Sequence, residues 1–434
     1  QGAQFGSEAK GAIAAHICET EGVDVCVRTG ATNAGHTCYY ESYGMMREVK
    51  LQQLPVGFTN PHTKLILGAG ALIDPAILES EVSLLSKLTG ADIRSRLMID
   101  RRAGLHLGVH ADRSKTSGRH HSMGATGKGC SEALIDRIRN RGTFQLPQFG
   151  DSHYAKLYDV GDTEAYLNYR HDEGDSIMLE GTQGQLLDLY LGPYPYVTHK
   201  QTGPAQWMLE SGLSPALPTR IISVVRTHPI RVAGNSGPLD YEISWPDLAR
   251  TINDKLAITD NAPIIEENYL VEFEDAVRNV AASGRFPMPP GSDGLDQHMW
   301  SAQRRLQYKE ALSEVNAEAL KLLPDVTLRK LRALFELTTV TKKLRRVAML
   351  SVADLRTSSR QMRPHELALT FMNYEFPQYW YRTPEAADPN IVAYIDSISR
   401  IASVPVRYLS WGPESSHISE VPFLHAPASG SGAI

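Results

Sequence analysis

Cysteine is scarce: four residues in 434, Cys18, Cys26, Cys38 and Cys130, with no CxxC pair among them. Reduced thiols in a cytoplasm are the expected state. No apolar run approaches ~20 residues, so no helical membrane span is expected. Neither sign of charge dominates, since 44 Lys+Arg against 49 Asp+Glu leave a formal net charge of -5. That balance gives no bulk attraction to nucleic acid or to an anionic membrane, and any phosphate site must be local. Internal repeats and low-complexity segments are missing, and the Ser/Gly/Ala tail after His425 is expected to fray. No charged-then-apolar segment stands at the start. The sequence opens on Gln1, and a strand would ordinarily lead into the loop that follows.

Composition is otherwise that of a globular protein able to bury a sizeable core. At ~150 residues per domain the length allows two or three domains, or one large α/β domain. Short β-branched runs recur at Val23–Thr29, Lys64–Gly68, Ser176–Glu180, Arg220–Arg226, Arg345–Leu350, Leu367–Met372 and Val404–Trp411. Such strands alternate with helical stretches. They predict a mainly parallel sheet with helices on both faces and ligands at the carboxyl ends of the strands. From about Ala257 to Leu334 the pattern becomes helical, with long periodic stretches at Asp296–Leu323 and Thr327–Leu337. This reads as an elaboration that braces the fold or a subunit contact.

Five loops carry the chemistry. Gln4-Phe5-Gly6-Ser7-Glu8-Ala9-Lys10-Gly11 ends in Lys-Gly before an amphipathic stretch. It lacks the Gly-Lys-Ser/Thr of a common P-loop, yet helix-start N–H groups and a lysine can cradle an oxyanion. An ordinary strand-to-helix turn reads equally well from that stretch. Arg28–Thr37 offers small residues, Asn33 and a tip histidine, His36, able to donate to a phosphoryl oxygen. Gly124-Ala125-Thr126-Gly127-Lys128-Gly129 suits a monophosphate. Glu180–Asp188 precedes Tyr194–Thr198. Thr338–Arg346 sets hydroxyls before four cations, which suits a dicarboxylate or a phosphate.

In this order the segments resemble adenylosuccinate synthetase. The family's Gln-Trp-Gly-Asp-Glu-Gly-Lys-Gly is matched by Gln4–Gly11, and its Asn-Asn-Ala-Gly-His-Thr by Thr32–Thr37. Its Gly-x-Thr-Gly-Arg/Lys-Gly is matched by Gly124–Gly129, and its Glu-Gly-Ala-Gln-Gly-x-Leu-Leu-Asp by Glu180–Asp188. Tyr194–Thr198 and Ser410–Pro413 match its Tyr-Pro-x-Val-Thr and Ser-x-Gly-Pro. The resemblance implies one P-loop-related α/β domain over 1–434 and a ligase that forms a C–N bond. A nucleotide γ-phosphoryl group activates O6 of a 6-oxopurine monophosphate, and the amine of L-aspartate displaces it.

The resemblance also implies roles. Lys10 and His36 would serve catalysis with the residue at position 7. Gly6, Glu8, Ala9, Lys10, Gly11, Gly35, His36, Thr37, Ser410, Gly412 and Pro413 would hold the nucleoside triphosphate. Asn33, Thr126, Gln183 and Thr198 would hold the purine monophosphate, while Val340, Thr341, Lys343 and Arg345 would hold aspartate. Mg²⁺ would meet position 7 and the Gly35 carbonyl. A homodimer is implied, with a partner arginine reaching the monophosphate. The aligned position is Asn140, flanked by Arg139 and Arg141.

Three departures sharpen this. Ser7 stands where the family has the aspartate that takes N1–H and ligates Mg²⁺. A short hydroxyl leaves room for the N2 amine of guanine and can accept from it. Phage-type members of the family carry this change and act on dGMP, making the precursor of 2-aminoadenine for phage DNA. This chain resembles them, so dGMP or GMP is the expected substrate. Serine is a poor base, and Glu8, a Mg²⁺-bound water or the substrate's own phosphate stay open in its place. The family's guanine-reading Thr-Lys-x-Asp is here Thr370-Phe371-Met372-Asn373. An amide at 373 can pair with adenine and Phe371 can stack on a base, which points to ATP or dATP as phosphoryl donor. Lys342 replaces a glycine and Lys343 an arginine, leaving the pose of aspartate open. The alternatives are an ordinary IMP- and GTP-using synthetase and a non-catalytic nucleotide-binding paralogue.

Overall fold

In a computed structural model the protein is described over residues 1–116, 127–139, 149, 153–286, 302–338, 342–385 and 388–421. All seven expected runs form strands. Val25–Arg28, Lys64–Leu67 and Ile177–Leu179 join Leu97–Asp100 and Asp159–Gly161 in a five-stranded parallel sheet. In it Val25–Arg28 lies between Lys64–Leu67 and Ile177–Leu179. Ile222–Arg226, Glu366–Thr370 and Val406–Ser410 run parallel in a second sheet, closed by the antiparallel edge Ile418–Glu420. The first residues are the seam. Gly2 bridges Gly184 on one side and Val224 on the other, both parallel.

The seventh run sits elsewhere. Arg346–Ala348 pairs antiparallel with Ile230–Arg231 and Glu242–Ile243. Its Arg346 holds Glu242 on the neighbouring antiparallel strand through Nε and Nη2 at 2.7 and 2.6 Å.

Both faces of the parallel strands are covered, as their near-continuous apolar sequence requires. Val25 and Val27 face one way and pack with Leu167 and Met208 of two flanking helices and with Leu213 just beyond the second. Cys26 faces the other way, against the first helix, Lys10–Thr20. That helix lays Ala12, Ile13 and Ile17 over Cys26 of one sheet and over Val224, Ala368 and Tyr408 of the other. Its N-terminus is therefore fixed above the seam, among the carboxyl ends of the strands.

The helical region comprises Trp245–Ile258, Glu267–Ala282, Ala302–Leu322 and Asp325–Leu331. Trp245, Leu248, Ile252, Phe273, Val315 and Ala319 share one apolar cluster there. It grips the cation-rich loop: Trp245 Nε1 donates to the Arg345 carbonyl at 2.6 Å, and Glu314 takes the Lys343 ammonium. Among the described residues no helix is long and apolar enough to cross a membrane.

Candidate active site

The first loop turns through Gly6 (φ +96°) and Ala9 (φ +59°) before the helix begins at Lys10. Glu8 organises it from within. Its Oε1 accepts from the N–H groups of Gln4 (3.0 Å) and Gly6 (2.7 Å), and its Oε2 from Lys10 Nζ (2.8 Å). Only 1% of Glu8 is exposed, and the cleft does not reach it. The carboxylate is committed to shaping the loop and poising the lysine. Gly11 is obligatory for a spatial reason. A Cβ there would stand 2.7 Å from the Thr37 carbonyl oxygen and 3.0 Å from His36 Cβ. The helix start thus touches the strand His36–Ser42.

His36 is the first residue of that strand, and its Nδ1 is paired with Glu180 Oε1. Glu180 also accepts from Arg28 Nη1 (3.3 Å) and the Val56 N–H (2.8 Å). Burial alone would raise the Glu180 carboxyl, but His36, Arg28 and the Val56 amide hold it below the usual range. Burial, with Arg28 alongside, lowers His36 to about 4. At neutral pH the pair is therefore a carboxylate accepting from a neutral imidazole. His36 lines the cleft, and its Nε2 is buried with no partner among the described residues. An arriving phosphoryl anion would favour protonation of that nitrogen. Arg28 Nη2 further donates to the Ala34 carbonyl at 2.6 Å, holding the loop that presents Gly35.

A cleft of about 390 Å³ joins these groups to the cation-rich loop and to an aromatic wall. Arg345 Nη1 donates to Ser7 Oγ at 3.3 Å. Arg226, 1% exposed, links three segments at once. Its Nη1 donates to the Ser7 carbonyl at 3.4 Å and to Glu336 Oε2 at 3.3 Å, its Nη2 pairs with Glu336 Oε1, and its guanidinium carbon lies 3.5 Å from the centre of the Phe371 ring. Lys342 takes φ +54°, a conformation suited to the glycine of the related sequences. Lys343 is held by Glu314, so a ligand carboxylate would have to compete for it.

Phe371, Asn373, Ser410, Gly412 and Pro413 also line the cleft, together with Tyr374, Trp380 and Tyr381. Tyr374 stacks on Trp380 with ring centres 5.6 Å apart. Asn373 is 3% exposed. This wall is aromatic with one amide edge, the chemistry of a purine site. It meets the first loop where Thr370 Oγ1 donates to the Glu8 carbonyl at 3.0 Å.

The residues expected at the purine monophosphate are less closely gathered. A Cβ on Gly6 would meet Gln183 at 3.4 Å, so Gln183 adjoins the first loop. Thr198 binds its N–H to the Leu187 carbonyl at 2.7 Å and its Oγ1 to His199 at 3.3 Å. Thr32, beside Asn33, bonds His106 at 2.9 Å and contacts Cys130, the first residue of the helix Cys130–Arg139. A second cavity, about 280 Å³, lies between this helix and Pro204–Ser211 with Arg137, His199 and Lys200 on its wall. Burial next to Lys200 lowers His199 to about 3, so it is neutral there. Arg139 ends its helix exposed. Thr126, Asn140, Arg141, Val340 and Thr341 lie outside the described residues.

The Mg²⁺ implied by the resemblance can be tested on the donor set. Among the described residues no group of three or more His, Cys, Asp or Glu could hold a metal. At the positions the resemblance assigns to the ion, the cleft offers neutral oxygens, at Ser7 and at Gly35, beside which a Cβ would find open space. That set fits an ion carried by phosphate oxygens and water, not an all-protein cage.

Arg28, Glu180, Arg226, Glu336 and the Tyr374–Trp380–Tyr381 wall were not singled out from sequence. The arginines had a signal: each is a permanent charge inside an apolar strand run, and so must be buried and paired.

Known proteins resemble this chain in sequence and in fold. The family model described as adenylosuccinate synthetase matches residues 1–159 and 151–375. The adenylosuccinate synthetase of Methanocaldococcus jannaschii is 36% identical over 334 residues, 75% of this chain and 90% of that protein. That of Methanococcus maripaludis strain S2 is 36% identical over 248 residues, 56% of this chain and 68% of that one. Two solved structures share the fold. The succinoaminodeoxyadenylate synthetase of cyanophage S-2L, bound to dGMP and to dATP as an energy donor, has a TM-score of 0.63 at 23% identity, covering 97% of this chain and 94% of that one. The fully ligated adenylosuccinate synthetase of Plasmodium falciparum has a TM-score of 0.66 at 16% identity, covering 96% and 97%.

Proposed function

The chain belongs to the adenylosuccinate synthetase family of C–N bond-forming, nucleotide-binding ligases of purine biosynthesis, and from that premise we propose that it joins L-aspartate to C6 of dGMP or GMP at the expense of ATP or dATP. The product is N6-succino-2-amino-(deoxy)adenylate, the precursor of 2-aminoadenine.

The observation that carries this reading is Ser7, a short hydroxyl lining the same cleft as Lys10 and His36. Where the family has an aspartate, the serine leaves space for an amine at C2 and accepts a hydrogen bond from it. The cyanophage protein similar in fold is bound to dGMP and dATP. Asn373 on the aromatic wall supports an adenine base in the donor.

In this reading Lys10 steadies the transferring phosphoryl oxygens. His36, backed by Glu180, meets the charge that builds between O6 and phosphorus. Lys343 and Arg345, with Val340 and Thr341, take the carboxylates of aspartate. Asn33, Thr126, Gln183 and Thr198 take the monophosphate. Mg²⁺ entering with the donor would neutralise phosphate charge, met on the protein side by Ser7 and Gly35. The chain acts as a single domain and a homodimer, Arg139 or Arg141 of one protomer reaching the other's monophosphate.

A second reading has its own support: the curated relatives are ordinary synthetases of archaea. A matrix of IMP, GMP and dGMP against ATP, dATP and GTP decides, with aspartate-dependent phosphate release as the signal. Release with dGMP and ATP or dATP is expected. Turnover with IMP and GTP but none with dGMP would overturn the proposal.

A further inference from the structure

Replacing an aspartate by Ser7 removes a proton acceptor, yet the reaction still requires that N1–H be lost. Glu8, the nearest carboxylate in sequence, is bound to two backbone amides and Lys10, is 1% exposed and does not line the cleft. Among the described residues two carboxylates line the cleft, Glu48 and Glu336. Glu48 lies on the strand Met45–Leu51, 44% exposed and paired with Lys50. Glu336 sits beside Ser7 itself. One guanidinium nitrogen, Arg226 Nη1, bonds both the Ser7 carbonyl (3.4 Å) and Glu336 Oε2 (3.3 Å). Arg345, whose backbone N–H donates to the Glu336 carbonyl at 2.9 Å, reaches Ser7 Oγ with its own side chain.

We propose that Glu336 is the proton acceptor that replaces the missing aspartate, taking N1–H of the 6-oxopurine as O6 is phosphorylated. This rests on the reaction proposed above. The side chain is suited to the task. Its Oε1 is occupied by Arg226 and by Tyr374 Oη (3.4 Å), whereas its Oε2 holds one donor at 3.3 Å and keeps lone-pair capacity for another. It is 28% exposed, and the surface it exposes belongs to the cleft. In the step, Oε2 takes the N1 proton and the N1–H bonding pair becomes the second N1–C6 bond. The C6–O6 π pair then goes to O6, which bonds to the γ-phosphorus. The bond from that phosphorus to the β–γ bridging oxygen breaks, its pair leaving on the nucleoside diphosphate.

The test compares wild type, Glu336→Gln and Glu336→Asp, with dGMP and with IMP, each with ATP and aspartate across pH. A lost general base is worth about 10²–10⁴ in rate. Expected for Glu336→Gln is a kcat at least ~10²-fold lower at neutral pH, with KM for both nucleotides within about threefold. Its rate should climb roughly tenfold per pH unit toward the substrate's own N1 ionisation, where the wild type is flat. Glu336→Asp should recover part of the rate. A Glu336→Gln rate within about threefold of wild type would overturn the proposal. So would a pH-independent loss accompanied by a large rise in KM, the mark of an anchor for Arg226 alone. If the wild type uses IMP and not dGMP, the substrate assignment fails, and the same variants read out the proton acceptor on IMP.

Discussion

Replacing Glu180 by glutamine removes one charge from a buried trio while nearly preserving its shape. Glu180 and Arg28 are each 1% exposed at the side chain, so neither charge can turn to water. Breaking a buried pair from one side costs about 3–5 kcal/mol. The local geometry places the cost at the low end, about 3 kcal/mol, because Arg28 keeps the carbonyls of Leu54 (3.2 Å) and Ala34 (2.6 Å). It does not vanish, because an amide has one oxygen. Oε1 faces Arg28 and His36, and Oε2 faces the Val56 N–H, so whichever way the amide turns an N–H meets a donor. Urea unfolding followed by fluorescence is the assay. With m of about 3 kcal/mol/M, the midpoint should fall by about 1 M at constant m. His36 loses the acceptor that fixes its tautomer, so kcat should fall by roughly 10²-fold or more with little change in KM for the donor. A midpoint within about 0.2 M of wild type, or an unchanged kcat, would refute the reasoning.

Further outcomes follow from the same structure. Asn373→Asp turns the amide edge of the aromatic wall into a double acceptor, and should shift the preferred donor from ATP toward GTP by about tenfold or more in kcat/KM. Gly11→Ala drives a Cβ to 2.7 Å from the Thr37 carbonyl oxygen. It should cost about 1–3 kcal/mol in thermal unfolding and lower kcat by displacing His36. Stability should fall with acid. His36 titrates at about 4 in the fold against 6.5 unfolded, because burial favours the neutral ring. Its contribution is complete above about 6.5 and is lost as pH drops toward 4, about 2 kcal/mol between roughly pH 7 and 5. His228, also lowered to about 4 by burial, adds in the same direction. Thermal midpoints across that range should fall less steeply in His36→Gln than in the wild type.

The strands were legible because a parallel strand buried on both faces must be apolar almost throughout, and seven such runs stand out in the chain. The loops were legible because phosphate sites need small residues and helix starts at set spacings. Arg346–Ala348 reads like the other strands but joins the small antiparallel sheet, where Arg346 pairs with Glu242 of the neighbouring strand.

By itself the sequence determined the α/β class, the family and the two positions, Ser7 and Asn373, where this chain leaves the family pattern. Each of these is local: a run of side chains, a spacing, a substituted letter. Only the tertiary structure decided what each charge does. Glu8, adjacent to Ser7 in sequence, is enclosed and spent on its own loop. Glu336, 329 positions from Ser7 along the chain, is one guanidinium nitrogen away from it. Arg28 and Arg226 leave apolar strands to fasten loops together. A buried charge must find an opposite charge or dipoles wherever the fold brings them, and that pairing is set by three-dimensional distance, which spacing along the chain does not encode.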